Sequence, residues 1–242
     1  MTVKQLYDIL DSRIPRSLSC EWDNDGLMCC PNGEKEVKKV LIALDVTAQV
    51  VEYAISGGYD AIVSHHPFIF KGIKSINEES YISEKAIRLI QNGISVFSFH
   101  TRLDAVSGGV NDRLCELLEL TSVQSFGEGD IGRIGELDTP LDGEALAAKI
   151  KSLLHADGVF LADAGKPCKR IAVLGGSGGD CITDAISAGA DAYISGTLSY
   201  HAMTDAPDMG ITLIEAGHFY TEYPVCANLC KMIKEADSNM IC

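Results

Sequence analysis

Four of the six histidines in this 242-residue chain stand where apolar runs give out. His65 and His66 close "DAIVSHHP", His100 closes "ISVFSFH", and His218 follows "ITLIEAG". Two of these groups carry an acid four residues on, Asp104 after His100 and Glu222 after His218. Neutral imidazole and carboxylate form a mixed nitrogen–oxygen donor set suited to zinc, iron, manganese or nickel, without thiolate. Six such donors exceed the three that one open catalytic ion usually takes from a protein. They suffice for two ions with a bridging carboxylate, and two ions about 3.5–4 Å apart can activate a water and clamp a developing oxyanion.

Each piece is weak alone. A single His at a strand end is more often a hydrogen-bonded structural residue, and one H-x-x-x-D/E is commonplace. The adjacent pair says more. In an extended strand, neighbours point to opposite faces, so both can ligate only where the backbone turns. Pro67 marks such an end and restricts His66 to extended geometry. Four histidines at three strand ends together favour a metal site.

The elements that must position these residues are short β-rich runs alternating with helical segments. "KKVLIALDV", "DAIVSHH", "ISVFSFH", "RIAVLGG", "DAYISG" and "GITLIEAGH" read as strands; "AQVVEYAISGG", "SEKAIRLIQNG" and "CITDAISAG" read as helices with glycine stops. Continuous Val/Ile/Leu runs between such helices indicate an α/β fold with covered sheets. In open α/β sheets, functional groups gather beyond the carboxyl ends of the strands, where the histidines fall.

The chain also repeats itself. Lys38 to Ser64 aligns without gaps on Lys169 to Ser195, with seven identities in the last eleven positions. The two strand–His–x–x–x–acid elements extend the likeness. The pattern favours an internal duplication and two related α/β lobes, residues 1–125 and 126–242, with a seam in the Gly- and acid-rich "QSFGEGDIGRIGELDTPLDG".

Other features carry two readings each. "GGSGG" from Gly175 reads as an anion-binding turn at a helix start or as a tight packing turn. Asp45 and Thr47 occupy the equivalent place in the first lobe, as helix caps. His201, after "SGTLSY", reads as a proton carrier or as a surface residue. "WDNDGL", with the only tryptophan, reads as a plain turn holding one buried ring, ahead of a lip over the site.

Net charge is −14, which argues against general nucleic-acid binding. A phosphorylated small molecule stays compatible if a metal supplies positive charge. No apolar window of membrane-spanning length and no polybasic run appear. The start, "MTVKQLYDILDSRIPRSL", reads as an amphipathic helix and not a signal peptide, so a cytoplasmic protein is expected. Nine scattered cysteines without a C-x-x-C pair read as reduced thiols.

Taken in order, "WDNDGL", "ALDVT", "SHHPFIF", "HTRLD", "GGSGG", "DAYISGTLSYH" and "GHFYTE" resemble the Nif-three-like proteins, also called GTP cyclohydrolase I type 2 homologues. The resemblance implies two similar α/β lobes with a dinuclear metal site in the cleft between them, and a toroidal homohexamer. It carries the ligand role onto His65, His66, His100, Asp104, His218 and Glu222, with two divalent ions per chain (zinc, iron or manganese). The chain departs from the family at Arg102, where Asn is usual, and at Thr197, where an acid is usual. The expected function is a metal-dependent hydrolase acting on a small, nucleotide-like or phosphorylated substrate, with His201 as a proton shuttle. The alternative is a non-catalytic hexamer that carries metal or serves as an adaptor for partner proteins.

Overall fold

The strands that the sequence marks by continuous Val, Ile and Leu form the centres of two sheets. A computed structural model of the chain describes residues 1–242. Its first elements are α1 (Val3–Arg13), β1 (Gly26–Cys29), β2 (Val40–Ala43), α2 (Ala48–Ser56), β3 (Ala61–Ser64), α3 (Tyr81–Gln91), β4 (Ser95–Ser98) and α4 (Thr101–Ala105). They are followed by α5 (Val110–Leu118), β5 (Thr121–Phe126), β6 (Gly132–Leu141), α6 (Gly143–Leu153), β7 (Phe160–Ala162) and β8 (Cys168–Ser177). The chain continues with α7 (Ile182–Ser187), β9 (Ala192–Thr197), α8 (Tyr200–Met209), β10 (Thr212–Glu215), α9 (His218–Glu222) and α10 (Val225–Ala236). No helix is long and apolar enough to cross a membrane.

The chain divides into two compact units, residues 1–103 with 226–242, and residues 104–225. The seam expected between residues 125 and 126 is therefore displaced. The Gly- and acid-rich segment there is a hairpin: β5 and β6 pair antiparallel across it, from Phe126↔Gly132 outward. Hairpin partners share one sheet, so β5 cannot belong to the first unit. After α9 the chain returns. Arg13 donates to Met232 O at 2.9 Å, and Val40 N to Ile241 O at 2.8 Å.

The first unit holds a sheet of order β1-β4-β3-β2, in which β2, β3 and β4 run parallel and β1 pairs antiparallel with β4. Every residue of β3 and β4 is buried. Ile62 and Val96 pack against Val51 and Ala54 of α2 and Ala86 and Leu89 of α3.

The second unit holds a sheet of order β5-β6-β8-β9-β10-β7, parallel through β8, β9 and β10. Successive side chains of β8 and β9 go to opposite faces. Ile171, Val173 and Ile194 join Leu114 of α5 and Ile150 of α6, while Ala172, Leu174 and Tyr193 join Ala185 of α7 and Ala206 of α8. A sheet covered on both faces needs the unbroken apolar runs seen in the sequence.

The two units share a local arrangement at the positions that align in sequence. Val40 pairs with Ala61, and Ile171 with Ala192. The Asp60 carboxylate accepts from the backbone N–H of Lys38 and Lys39; the Asp191 carboxylate accepts from Lys169 and Arg170. The reduced-thiol reading fails at one pair, since the returning tail joins Cys242 to Cys230 as a disulfide. The other seven cysteines are free.

Candidate metal centre

The adjacent histidines follow β3, which lies between β2 and β4. Two serine hydroxyls shape the turn that lets neighbours face one way. Ser64 Oγ donates to His66 O at 2.9 Å, and Ser98 Oγ accepts from Phe68 N at 3.2 Å. The two imidazole centroids are 5.0 Å apart. His100, two residues past β4, brings its ring to 5.4 Å from His65 and 5.7 Å from His66. Three imidazoles from two neighbouring parallel strands thus gather at one sheet edge, with His65 fully buried.

Each ring is held through Nδ1 by an acceptor. His65 Nδ1 meets Phe99 O at 3.0 Å, His66 Nδ1 meets Asp45 Oδ1 at 2.9 Å, and His100 Nδ1 meets Asp23 Oδ1 at 2.9 Å. A carbonyl or carboxylate can only accept, so in the neutral ring the proton is on Nδ1 and the lone pair on Nε2. Metal-ligating histidines are oriented in this way. Thr47, rather than Asp45, caps α2, by accepting from Val50 N.

Asp23 and Asp25 are the functional residues that sequence reasoning missed. Asp23 accepts from His100 and from both the N–H and the hydroxyl of Thr101; Asp25 accepts from His100 N and Arg102 Nε. The tryptophan expected to be a buried ring is 64% exposed. With Phe70 it stands edge-on to His100, each about 6 Å away by ring centroids (6.1 and 6.2 Å). "WDNDGL" is therefore a support for His100 and not a plain turn. Its signal was two acids two residues apart, Asp23 and Asp25, just before a strand.

Burial pushes the Asp23 carboxyl up, but the hydrogen bonds from His100 and Thr101 outweigh it and hold the group at about 2. A folded-state pKa below the unfolded value of about 3.9 adds stability above pH 4 that is lost as pH falls toward 2. The expected loss is about 2 kcal/mol over that window. Asp23→Asn should flatten this acid limb in urea unfolding measured from pH 6 to 2; an unchanged limb would count against the assignment.

Arg102 does not project a cation into this group. Its guanidinium is fully buried, donating Nε to Asp25 Oδ2 at 3.0 Å and Nη1 to Asp11 Oδ1 at 2.6 Å and Ile14 O at 2.8 Å.

In the second unit, α9 carries His218 and Glu222 on one face, four residues apart. His218 Nε2 lies 3.1 Å from Glu222 Oε1, and the Glu222 side chain is almost wholly buried. Asp104, on α4, is buried as well. Asn111 ties its backbone in place: Nδ2 donates to Asp104 O at 3.2 Å and Oδ1 accepts from Gly175 N at 2.8 Å.

The glycine-rich loop proves to be the seat of α9. A Cβ on Gly176 would collide with Glu222 Oε1, and one on Gly196 would lie 2.6 Å from Gly176 O and 2.8 Å from His218 Cα. The N–H groups of Gly175, Gly176 and Gly178 already donate to Asn111, Thr221 and Ser195. They are committed within the unit, which supports the packing reading over the anion reading. Gly196→Ala, which meets backbone on two sides, should cost at least about 2 kcal/mol. Gly179→Ala, with nothing within 4 Å, should stay within about 0.5 kcal/mol. Equal urea midpoints for the two variants would contradict this packing.

His201 lies in the first turn of α8, exposed, with its ring against Tyr200 at 5.6 Å. Thr197, at the end of β9, is exposed.

The family model described as Duf34/NIF3 (NGG1p interacting factor 3) matches residues 1–241. The chain belongs to the Duf34/NIF3 family. A relative from Clostridium perfringens, named GTP cyclohydrolase 1 type 2 homolog, is 34% identical, covering 97% of this chain and 92% of its own length. One of the same name from Methanocaldococcus jannaschii is 30% identical over 92% of this chain and 90% of its own. Among solved structures, a Staphylococcus aureus hypothetical protein matches with a TM-score of 0.89 at 29% identity, covering 100% of this chain and 94% of that one. A Bacillus cereus protein related to NIF3 matches with a TM-score of 0.91 at 22% identity, over 100% and 95%, and speaks for the fold alone. This Duf34/NIF3 chain thus matches these two named relatives over more than nine tenths of its length.

Proposed function

We propose that this protein is a dinuclear metal-dependent hydrolase acting on a small phosphorylated or nucleotide-like molecule. The observation that carries the reading is the Nδ1 anchoring of three clustered imidazoles, with Asp45, Asp23 and Phe99 O as the anchors. The proposed donor set for the two ions is His65, His66, His100, Asp104, His218 and Glu222. The likeness between the units supports an origin by duplication, and the family resemblance supports a site in the cleft between lobes, a toroidal homohexamer and a cytoplasmic setting.

The donors fit divalent zinc, iron or manganese, being neutral imidazoles and carboxylates. Two bound ions would supply Lewis acidity toward a water and an electrophile. The remaining work falls to the chain. Asp45 and Asp23 fix the ring orientation and tautomer of His66 and His100, each accepting from Nδ1 so that Nε2 is the nitrogen offered to an ion. The Glu222 and Asp104 carboxylates balance positive charge. Trp22 and Phe70 shield the His100 side from bulk water, and His201 carries a proton in the proposed cycle.

The test is elemental analysis of untagged protein combined with turnover of a nucleotide and pterin panel by Mn, Fe and Zn forms. Near two ions per chain with turnover by one form is expected. Well under one ion per chain sinks the metal reading; bound metal without any turnover sinks catalysis and leaves the metal-carrying or adaptor reading.

A further inference from the structure

A pocket of about 490 Å³ opens beside His66 in the first unit, walled by Phe68, Phe70, Tyr81, Lys71 and Lys85. The Lys85 ammonium donates to Val46 O at 2.5 Å and lies 5.3 Å from the Phe68 ring centre and 5.6 Å from that of Tyr81. An ammonium has three N–H donors, and this carbonyl takes one. Burial holds the Lys85 pKa below the usual lysine value, against the pull of Asp45. Asp45 also lines the pocket, where its carboxylate accepts from His66 Nδ1, and its single charge is outnumbered by the two lysines. In a chain of net charge −14, two lysines on one aromatic-walled pocket reverse the local sign.

We propose that this pocket is the recognition subsite of the metal centre and takes a phosphate monoester carried on a flat ring. The inference rests on the proposed metal-dependent reading, because His66 is common to the pocket wall and the donor set. The ring packs among Phe68, Phe70 and Tyr81, and the phosphate meets Lys85 and Lys71. A dianion suits two compact point charges, whereas a lone carboxylate is better matched by an arginine fork.

The full-length protein, as purified and after chelator treatment, is titrated calorimetrically with phenyl phosphate, phenol, benzoate and inorganic phosphate. In both forms phenyl phosphate should bind at least about tenfold more tightly than phenol or benzoate. Lys85→Met should erase that advantage and Lys85→Arg should keep it, with metal content unchanged in both. Lys71→Met, at an exposed position, should give a smaller loss in the same direction, so the proposal stays testable if Lys85→Met unfolds. Equal binding of phenol and phenyl phosphate overturns the subsite. So does phenyl phosphate binding that needs metal and ignores both lysines. Either failure leaves the metal reading to its own elemental analysis, and binding by a protein that never holds metal would keep the pocket while sinking that reading.

Discussion

Glu222→Gln should lower the affinity of the protein for its divalent ion by more than about 100-fold, while Asp45→Asn lowers it by about 10- to 100-fold. The two carboxylates stand in different relations to the proposed ion. Gln keeps the volume of Glu222 and one oxygen, so its seat against Gly176 and its place beside His218 survive. What it loses is the charge, at a side chain that is 3% exposed and where solvent cannot replace it. Asp45 acts at one remove, by holding the His66 proton on Nδ1. Its loss frees the ring to rotate and change tautomer but leaves the imidazole present. Competition with a fluorescent chelator, on protein whose melting temperature is checked, ranks the two. His201→Ala should leave the affinity unchanged, since that ring lies against Tyr200 on the exposed side of α8. Wild-type affinity in Glu222→Gln would remove Glu222 from the donor set.

The strand ends were legible because periodicity and composition are local. A short run such as "AIVS", with adjacent β-branched residues and a proline soon after it, reads as a doubly covered strand, and a histidine just past it marks the sheet edge. The registers of the two aligned segments agree in the structure as they do in sequence, at Val40↔Ala61 and Ile171↔Ala192. The supports of the histidines were not legible. Asp23 reaches His100 across 77 positions, and Asp45 reaches His66 across 21. No period or spacing encodes such a contact; it arises when β1 pairs back onto β4 and brings its preceding loop along. The misplaced seam has a related cause. The boundary was judged on the repeat and on the Gly- and acid-rich composition of the segment, and the turn of the antiparallel β5–β6 pair has the composition of a linker.

Arg102→Met should cost about 3–5 kcal/mol, the usual penalty for stripping one partner from a buried ion pair. The Asp25 side chain is fully buried and would be left with Arg16, whose own side chain is half exposed. Asp11 and Ile14 O would lose a donor in the same step. Lysine is not a conservative replacement, because Arg102 uses Nε and Nη1 on three acceptors while its guanidinium lies 4.6 Å from the Phe99 ring centre. Asp25 Oδ2 also accepts from His100 N at 3.1 Å, so the damage should reach the metal centre. The prediction is a lower urea midpoint for both Arg102→Met and Arg102→Lys, with weaker metal binding at temperatures where the variants are still folded. The double variant Arg102→Met/Asp25→Asn should lose less than the two single losses combined, since the second change removes the charge that the first leaves buried. Strict additivity would show that the two side chains are not energetically paired, and normal metal binding in Arg102→Met would show that His100 does not depend on them.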